Sequence, residues 1–353
     1  MSQTTKEIIL SNLRNIIDPT TNESVITYIP EIVTKNNQIC FTLEYEALST
    51  EAEISEKQTL IKQCYTALSN AGINNVKIIL STTSKEARTN TKPQSHVRST
   101  VQGIKRIILV ASGKGGVGKS TVSANLSVAL KKMGYKIALL DADISGPSIQ
   151  LMFNSFGPPI YQNNLMLPVI MHDIKLMSMG FFGAPDVATL WRGPMLTKAV
   201  HNLLTMTNWT CDGQDVDCLI IDTPPGTGDI HLSLINNYGI EGVVIVTTPQ
   251  TVALQEAKKT YDMLNKMTVP TIGIVENMSY FHNTASTNVV YIFGQDGGTK
   301  LAKELGVPLL GKIPIEPKIR EQSDIGMPIT LDNNKIGDYF VKIAEAVASK
   351  HIL

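Results

Sequence analysis

A mostly parallel β-sheet covered by helices on both faces, preceded by a small α+β domain, is the α/β architecture this sequence predicts, and three observations carry it. Residues 104–353 alternate short apolar runs with helical stretches, the pattern of strands buried on both sides and joined by crossover helices. A glycine-rich loop, Gly113-Lys114-Gly115-Gly116-Val117-Gly118-Lys119-Ser120, stands between the first such run and the first such helix. From Ser81 to Gln102 the chain turns to Ser, Thr, Lys, Asn and Gln with scarcely an apolar residue, which reads as a linker. The loop satisfies G-x-x-x-x-G-K-S/T in a strand–loop–helix setting, so the large domain reads as a P-loop NTPase.

Residues 1–82 form the expected small domain. A helix is predicted around Ile8–Ile16, strands around Val25–Val33 and Gln38–Tyr45, an amphipathic helix around Ser55–Asn70 and a strand over Val76–Leu80. Residues 83–103 are the flexible linker, and 104–353 the P-loop domain. Its predicted strands are Arg106–Ala111, Lys136–Asp141, Ile174–Ser178, Cys218–Asp222, Gly242–Thr247, Thr271–Val275 and Pro308–Ile313. After the loop, Val122, Leu126, Ala129, Leu130 and Met133 recur at helical spacing, and Gly134 closes that helix as a C′ residue. In the tail Ile336–Leu353, Phe340, Ile343, Ala344 and Val347 fit a core-docked helix rather than a basic membrane-binding one. Gly113, Asp141, Asp222, Thr248 and Asn277 all follow strand C-termini, where ligands of such sheets collect.

The chain has 353 residues, 43% of them hydrophobic, with 31 basic and 31 acidic side chains. Zero net charge gives no global attraction to nucleic acid or to an anionic membrane. No apolar run reaches the ~18 residues of a membrane span, and Met1 to Lys6 lacks the features of a signal peptide, so a cytoplasmic location is expected. Of the cysteines Cys40, Cys64, Cys211 and Cys218, none forms C-x-x-C. Cys40 and Cys218 lie in core-like apolar runs, and so few thiols suit a reducing compartment.

The loop chemistry follows from its residue types. Glycines let consecutive N–H groups turn around the α/β-phosphates, Lys119 reaches the β/γ-phosphates, and the Ser120 hydroxyl can ligate Mg²⁺. Gly113 to Ser120 with Thr121 are the expected nucleotide-binding set. Lys114 adds a second cation, either contacting phosphate from another direction, across a dimer included, or solvated at the surface. Ala138-Leu139-Leu140-Asp141-Ala142-Asp143 ends a strand with alternating acids. Asp141 and Asp143 can face the same side, one toward Mg²⁺ and one toward an attacking water, or form a surface turn with Gly146-Pro147. No N-K-x-D element follows the strand Thr271–Val275; Glu276-Asn277-Met278 stands there, and the Asn277 carboxamide matches the N6/N7 edge of adenine, although Asn also suits a turn. ATP is the expected nucleotide.

Lys114 to Ser120 resembles the deviant Walker A of the MinD/ParA-like ATPases, in which the first lysine crosses a homodimer interface to the partner's nucleotide. Trp191-Arg192-Gly193-Pro194-Met195, Asp222-Thr223-Pro224-Pro225-Gly226-Thr227-Gly228-Asp229, Glu276-Asn277-Met278-Ser279 and Ile292-Phe293-Gly294 followed by Gly297-Gly298 are similar, in that order, to the Mrp/ApbC-type iron–sulfur cluster carriers. The resemblance spans about residues 104–330. It implies Mg-dependent ATP hydrolysis by a nucleotide-sandwich homodimer, with catalytic roles for Lys114, Lys119, Asp143 and Asp222. In it Asp143 is the switch I carboxylate that orients water, and Asp222 is the Walker B acid that holds Mg²⁺ through water, with Asp141 facing the same ion. Pro224-Pro225-Gly226-Thr227-Gly228 is switch II, and Asn277 reads adenine. The implied role is iron–sulfur cluster assembly or transfer to client proteins.

The family's metal site is where this chain departs. A C-x-x-C follows the Asn-Met-Ser element in the family, and two subunits bridge one [4Fe-4S] cluster with it. Counted without gaps, Asn283 and Ser286 occupy those positions here, and neither supplies the thiolate that such clusters require. His282 adjoins them as a loop residue. The N-terminal unit, with Asp18-Pro19, resembles the small domain that often precedes Mrp proteins, yet Glu46-Ala47-Leu48-Ser49-Thr50 lacks the usual cysteine. Arg192, near a helix expected over Met195–Asn208, either meets a partner or the switch region or packs its stem on Trp191. Two further readings stay open: a nucleotide-switched regulator or scaffold without a cluster, and a MinD/ParA-like positioning ATPase.

Overall fold

Continuous apolar runs become strands buried on both faces, and in the computed structural model they assemble one large sheet. The described residues are 3–29, 32–35, 38–46, 51–73, 75–83, 99–144, 146–182, 193–282 and 289–349. The chain divides into two compact units, Met1–Ser95 and His96–Leu353.

The first unit contains α1 (Gln3–Leu13), β1 (Ile32–Lys35), β2 (Gln38–Glu46), α2 (Glu51–Asn70) and β3 (Val76–Thr83). β1 and β2 pair antiparallel; β2 and β3 pair parallel through the α2 crossover. Ile9, Leu13, Phe41, Leu43, Leu60 and Leu68 fill its core. Two expectations change here. Val25–Tyr28, read as the start of a strand, is a 3₁₀ turn that buries Val25 and stacks the Tyr28 ring on Tyr45 at 4.3 Å. The polar Ser81–Thr83, read as linker, continues β3 because Glu44–Glu46 of β2 offer it a ladder partner. Lys57 and Asp18 form a buried ion pair at 2.7 Å. Hydrogen bonds from Lys57 and Thr20 outweigh the cost of burial and hold the Asp18 carboxyl down at about 2.

The second unit runs β4 (Ile107–Ala111), α3 (Lys119–Lys132), β5 (Ile137–Asp141), α4 (Ile149–Met152), β6 (Tyr161–Gln162), β7 (Leu165–Met166), β8 (Val169–Met171) and β9 (Ile174–Ser178). It continues with α5 (Gly193–Thr205), β10 (Cys218–Asp222), α6 (Asp229–Asn237), β11 (Gly242–Thr247), α7 (Thr251–Lys266) and β12 (Thr271–Glu276). β13 (Phe281–His282), β14 (Val289–Val290), α8 (Gly297–Leu305), β15 (Leu309–Lys312), α9 (Pro317–Asp324) and α10 (Gly337–Val347) complete it. The eight-stranded sheet has the order β15-β12-β11-β4-β10-β5-β9-β8, with β8 the antiparallel edge. The helix expected over Met195–Asn208 begins and ends earlier, as α5. Ser99 bridges to Tyr238 and Val101 is buried, so the stretch read as the end of the linker is tied to this unit. In α10, Phe340, Ile343, Ala344 and Val347 are fully buried, as their spacing predicts. No helix among the described residues is long and apolar enough to cross a membrane.

Register positions the site. Parallel pairing sets Asp222 of β10 beside Val110 of β4 on one side and Asp141 of β5 on the other. Two carboxylates therefore meet at the carboxyl edge of the sheet, next to the loop that leaves β4.

Candidate functional site

The loop after β4 needs its glycines for reasons the packing makes plain. A Cβ on Gly113 would stand 2.2 Å from the backbone of Glu256 in α7, and one on Gly118 would stand 2.1 Å from Asn277 Nδ2. Gly118 is also left-handed (φ 84°) as it enters α3. The loop thus turns directly into a helix N-terminus, where the helix dipole and unpaired amides favour an anion.

Below it, Asp222 is fully buried and collects three donors from one face of α3. Lys119 Nζ donates to Oδ1 at 2.8 Å, Ser123 Oγ to Oδ1 at 2.7 Å and Ser120 Oγ to Oδ2 at 2.6 Å. The Lys119 charge balances the carboxylate away from water, a pairing that a buried ion requires. Ser123 was not singled out by the sequence motif, although its spacing from Lys119 and Ser120 places it on the same helical face.

Asp141 is buried as deeply but faces a different set of partners. Its Oδ1 accepts the Asp143 N–H at 3.1 Å; its Oδ2 accepts Ser148 N–H at 2.9 Å, Ile149 N–H at 3.1 Å and the Ser178 hydroxyl at 3.2 Å. Burial first, and the neighbouring Asp222 charge second, push its carboxyl up to about 7. Asp143 is half-buried, and its Oδ1 accepts the Gly146 N–H at 3.3 Å. The two acids of the D-x-D stretch therefore do not share one environment: Asp141 is enclosed by backbone donors, whereas Asp143 retains exposure to solvent.

The segment after Asp222 is pinned to β4 and its loop. Thr223 donates from both N–H and Oγ1 to the Val110 carbonyl, and Gly226 N–H donates to the Ser112 carbonyl at 2.8 Å. With the Thr223 proton committed to Val110, His231 Nε2 supplies the proton in its 2.9 Å bond to Thr223 Oγ1. His231, from the first turn of α6, is almost fully buried; burial and then the Lys119 charge lower it to about 4, so its imidazole is neutral. Nothing in the local sequence periodicity marks His231.

Asn277 follows β12 and is buried against the loop, its Nδ2 donating to the Val117 carbonyl at 2.8 Å. Beside it, the buried Glu276 accepts from Gly298 N–H and Ser279 Oγ, tying the start of α8 to the sheet. Lys114, Gly115 and Gly116 are exposed, and Thr121 is half-buried. The structure so gathers Lys119, Ser120, Asp222, Asp141, Asn277 and the loop glycines at one sheet edge.

Asn283, Ser286, Trp191 and Arg192 lie outside the described residues. β13 and β14 pair antiparallel on either side of the 283–288 stretch, and His282 is exposed with its ring edge-on to Tyr280 at 5.1 Å. Cys64 and Cys218 are buried, and burial pushes both thiols up, Cys64 to about 11; Cys211 is exposed. Among the described residues, no group of three or more His, Cys, Asp or Glu stands ready to hold a metal ion.

A family model described as the NUBPL iron-transfer P-loop NTPase matches residues 103–348. An iron–sulfur cluster carrier protein of Synechocystis sp. is 38% identical over 357 residues, covering 98% of each chain. The iron–sulfur cluster transfer protein NUBPL of Mus musculus is 45% identical over 232 residues, 65% of this chain and 72% of that one. Among solved structures, a nucleotide-binding protein from Archaeoglobus fulgidus in complex with ADP is 33% identical with a TM-score of 0.56, covering 68% of this chain and 90% of its own. The cell division ATPase MinD of Pyrococcus furiosus is 25% identical with a TM-score of 0.52, covering 69% and 99%. With the loop, the sheet order and the buried Lys119–Asp222 pair in place, these likenesses make the chain a member of the NUBPL-type iron-transfer P-loop NTPases, on the fold of the MinD/ParA-like ATPases.

Proposed function

We propose that the protein binds ATP with Mg²⁺ at the loop, hydrolyses it slowly as a homodimer, and serves iron–sulfur cluster assembly or transfer. The observation that carries the nucleotide chemistry is the convergence of Lys119, Ser120 and Ser123 on Asp222 at the start of α3. The Ser120 hydroxyl and Asp222 carboxylate are hard oxygen donors of the kind Mg²⁺ takes, and the ion would supply charge neutralisation between the β- and γ-phosphates. Lys119 would exchange Asp222 for the phosphates, and the loop amides would bind them from the helix side. Asp143, with its retained exposure, would orient the attacking water. Asn277 would meet adenine, and the exposed Lys114 would reach the nucleotide of a second copy.

The cluster role rests on relatives named as carriers and transfer proteins. The ligand set in this chain does not fit direct cluster binding by that loop, since Asn283 and Ser286 offer a carboxamide and a hydroxyl where soft thiolates are required. That departure favours a second reading, a nucleotide-switched regulator or scaffold that presents a partner surface in its ATP state. Anaerobic reconstitution with iron and sulfide separates the two. The wild type is expected to hold little iron after desalting. Asn283→Cys with Ser286→Cys is expected to gain a brown cluster at roughly one per dimer. Stable cluster in the wild type would establish carriage through other thiols; failure of both proteins would favour the regulator.

A further inference from the structure

We infer that Asp141, Ser178 and Gln150 form a latch that fixes the segment Gly146–Ile149 and thereby places Asp143. Ser178 and Gln150 are positioning residues for the hydrolysis proposed above, on which the inference rests.

A carboxylate offers about four lone-pair sites. At Asp141 the chain itself brings four donors, the Asp143 N–H to Oδ1 and the Ser148 and Ile149 N–H groups with the Ser178 hydroxyl to Oδ2. Three of the four belong to the stretch that follows Asp141, so the chain folds back around its own carboxylate. Ser178 sits opposite Asp141 in the β5–β9 register. Its single hydroxyl proton has two acceptors in reach, Asp141 Oδ2 at 3.2 Å and Gln150 Oε1 at 2.9 Å, while its oxygen accepts the Gly180 N–H at 3.0 Å. Gln150 then turns back over the segment, donating from Nε2 to the Pro147 carbonyl at 2.9 Å. A Cβ on residue 180 would stand 2.2 Å from Gln150 Nε2, so the space for this return exists only because that residue is glycine.

The two buried carboxylates thus divide the work. Asp222 takes the donors of α3, which the nucleotide and Mg²⁺ would compete for; Asp141 takes the donors of the segment that carries Asp143. Loosening the latch should misplace Asp143 while leaving the phosphate and metal contacts whole. An Asp141 that faced Mg²⁺ instead would make the metal requirement the sensitive quantity.

The test uses Ser178→Ala and Gln150→Ala in the full chain. Phosphate release is titrated against ATP and against Mg²⁺, and amide exchange is followed by mass spectrometry at Ser148 and Ile149. Each variant is expected to lose about 10-fold or more in kcat, with the KM for ATP and the half-saturating Mg²⁺ within about 2-fold of wild type. The double variant should lose little more than the worse single one, because both act through one latch. Exchange at Ser148 and Ile149 should quicken about 10-fold while the melting temperature holds, which sets the effect apart from general unfolding. Wild-type exchange at those amides in both variants would overturn the latch, as would a raised Mg²⁺ requirement with unchanged kcat. A wild type without phosphate release would refute hydrolysis instead, and the exchange measurement would still decide the latch.

Discussion

At the scale of single residues, the site is governed by which buried charges have partners. Lys119, the residue proposed to span the β/γ-phosphates, is the counter-charge of Asp222. Lys119→Ala is expected to abolish turnover, a loss of at least ~3 kcal/mol of transition-state stabilisation, with sharply weakened ATP binding. Near wild-type phosphate release would contradict its assignment. His231 offers a second check with a definite sign. Its folded pKa, about 4, lies below the ordinary histidine value, so the unfolded chain takes up the proton first as pH falls. Stability supplied by the neutral imidazole is therefore present above about pH 6.5 and is lost between there and about pH 4. Asp141 works in the opposite direction, because burial and the neighbouring Asp222 charge raise its pKa in the folded state. The difference between wild type and His231→Gln isolates the histidine: from about pH 7.5 to about pH 4.5 it should move by roughly 2–3 kcal/mol in favour of the variant. Urea unfolding at the two pH values measures it, and a difference that does not change with pH would show that the imidazole is not held neutral.

At the scale of elements, turn chemistry was legible and its energetic weight depends on surroundings. Gly134 ends α3 with φ 98°, its N–H bonded to the Lys131 carbonyl, and no atom would meet an added Cβ. Gly134→Ala is expected to cost about 1 kcal/mol from backbone strain alone and to leave nucleotide affinity unchanged. Gly118 has the same left-handed backbone, but its Cβ would strike Asn277. Gly118→Ala should lower both the urea midpoint and the affinity for a fluorescent ATP analogue; an alanine tolerated there with full affinity would place the Asn277 contact in error. The strands β9, β10 and β11 match their expected bounds residue for residue; β10 and β11 are largely apolar runs, as doubly buried parallel strands require, whereas β9 buries Lys175, whose Nζ donates to Asp212 and to the Trp209 and Gln214 carbonyls. Val25–Tyr28 misled the same reasoning: its apolar residues serve a 3₁₀ turn because Val25 and Tyr28 find partners in β2 and the small core, not in a ladder.

At the scale of the whole molecule, balanced charge leaves association to local groups rather than to a global field. Lys114 is exposed beside a loop whose other lysine is buried and paired. Lys114→Ala is expected to keep the nucleotide affinity of the monomer while suppressing ATP-dependent dimerisation and turnover together. Light scattering with a non-hydrolysable ATP analogue is the measurement, and normal dimerisation of the variant would return Lys114 to the status of a surface charge.

What the sequence alone determined was everything written in short-range pattern: the parallel α/β class, the loop and its helix, the acids at strand ends, and the loss of thiols at positions 283 and 286. The first three depend on residues a few positions apart, where periodicity and turn chemistry act directly; the missing thiols are legible only against the family motif that the sequence resembles. Only the tertiary structure decided which acid meets which donor. Ser178 reaches Asp141 across 37 positions because strand register sets them opposite, and Ser123 reaches Asp222 across 99 because α3 packs on β10; local sequence brings neither pair together. The same register sets Asp141 and Asp222 side by side, and that adjacency, which no motif encodes, is why one carboxylate serves the phosphate loop and the other holds the segment bearing Asp143.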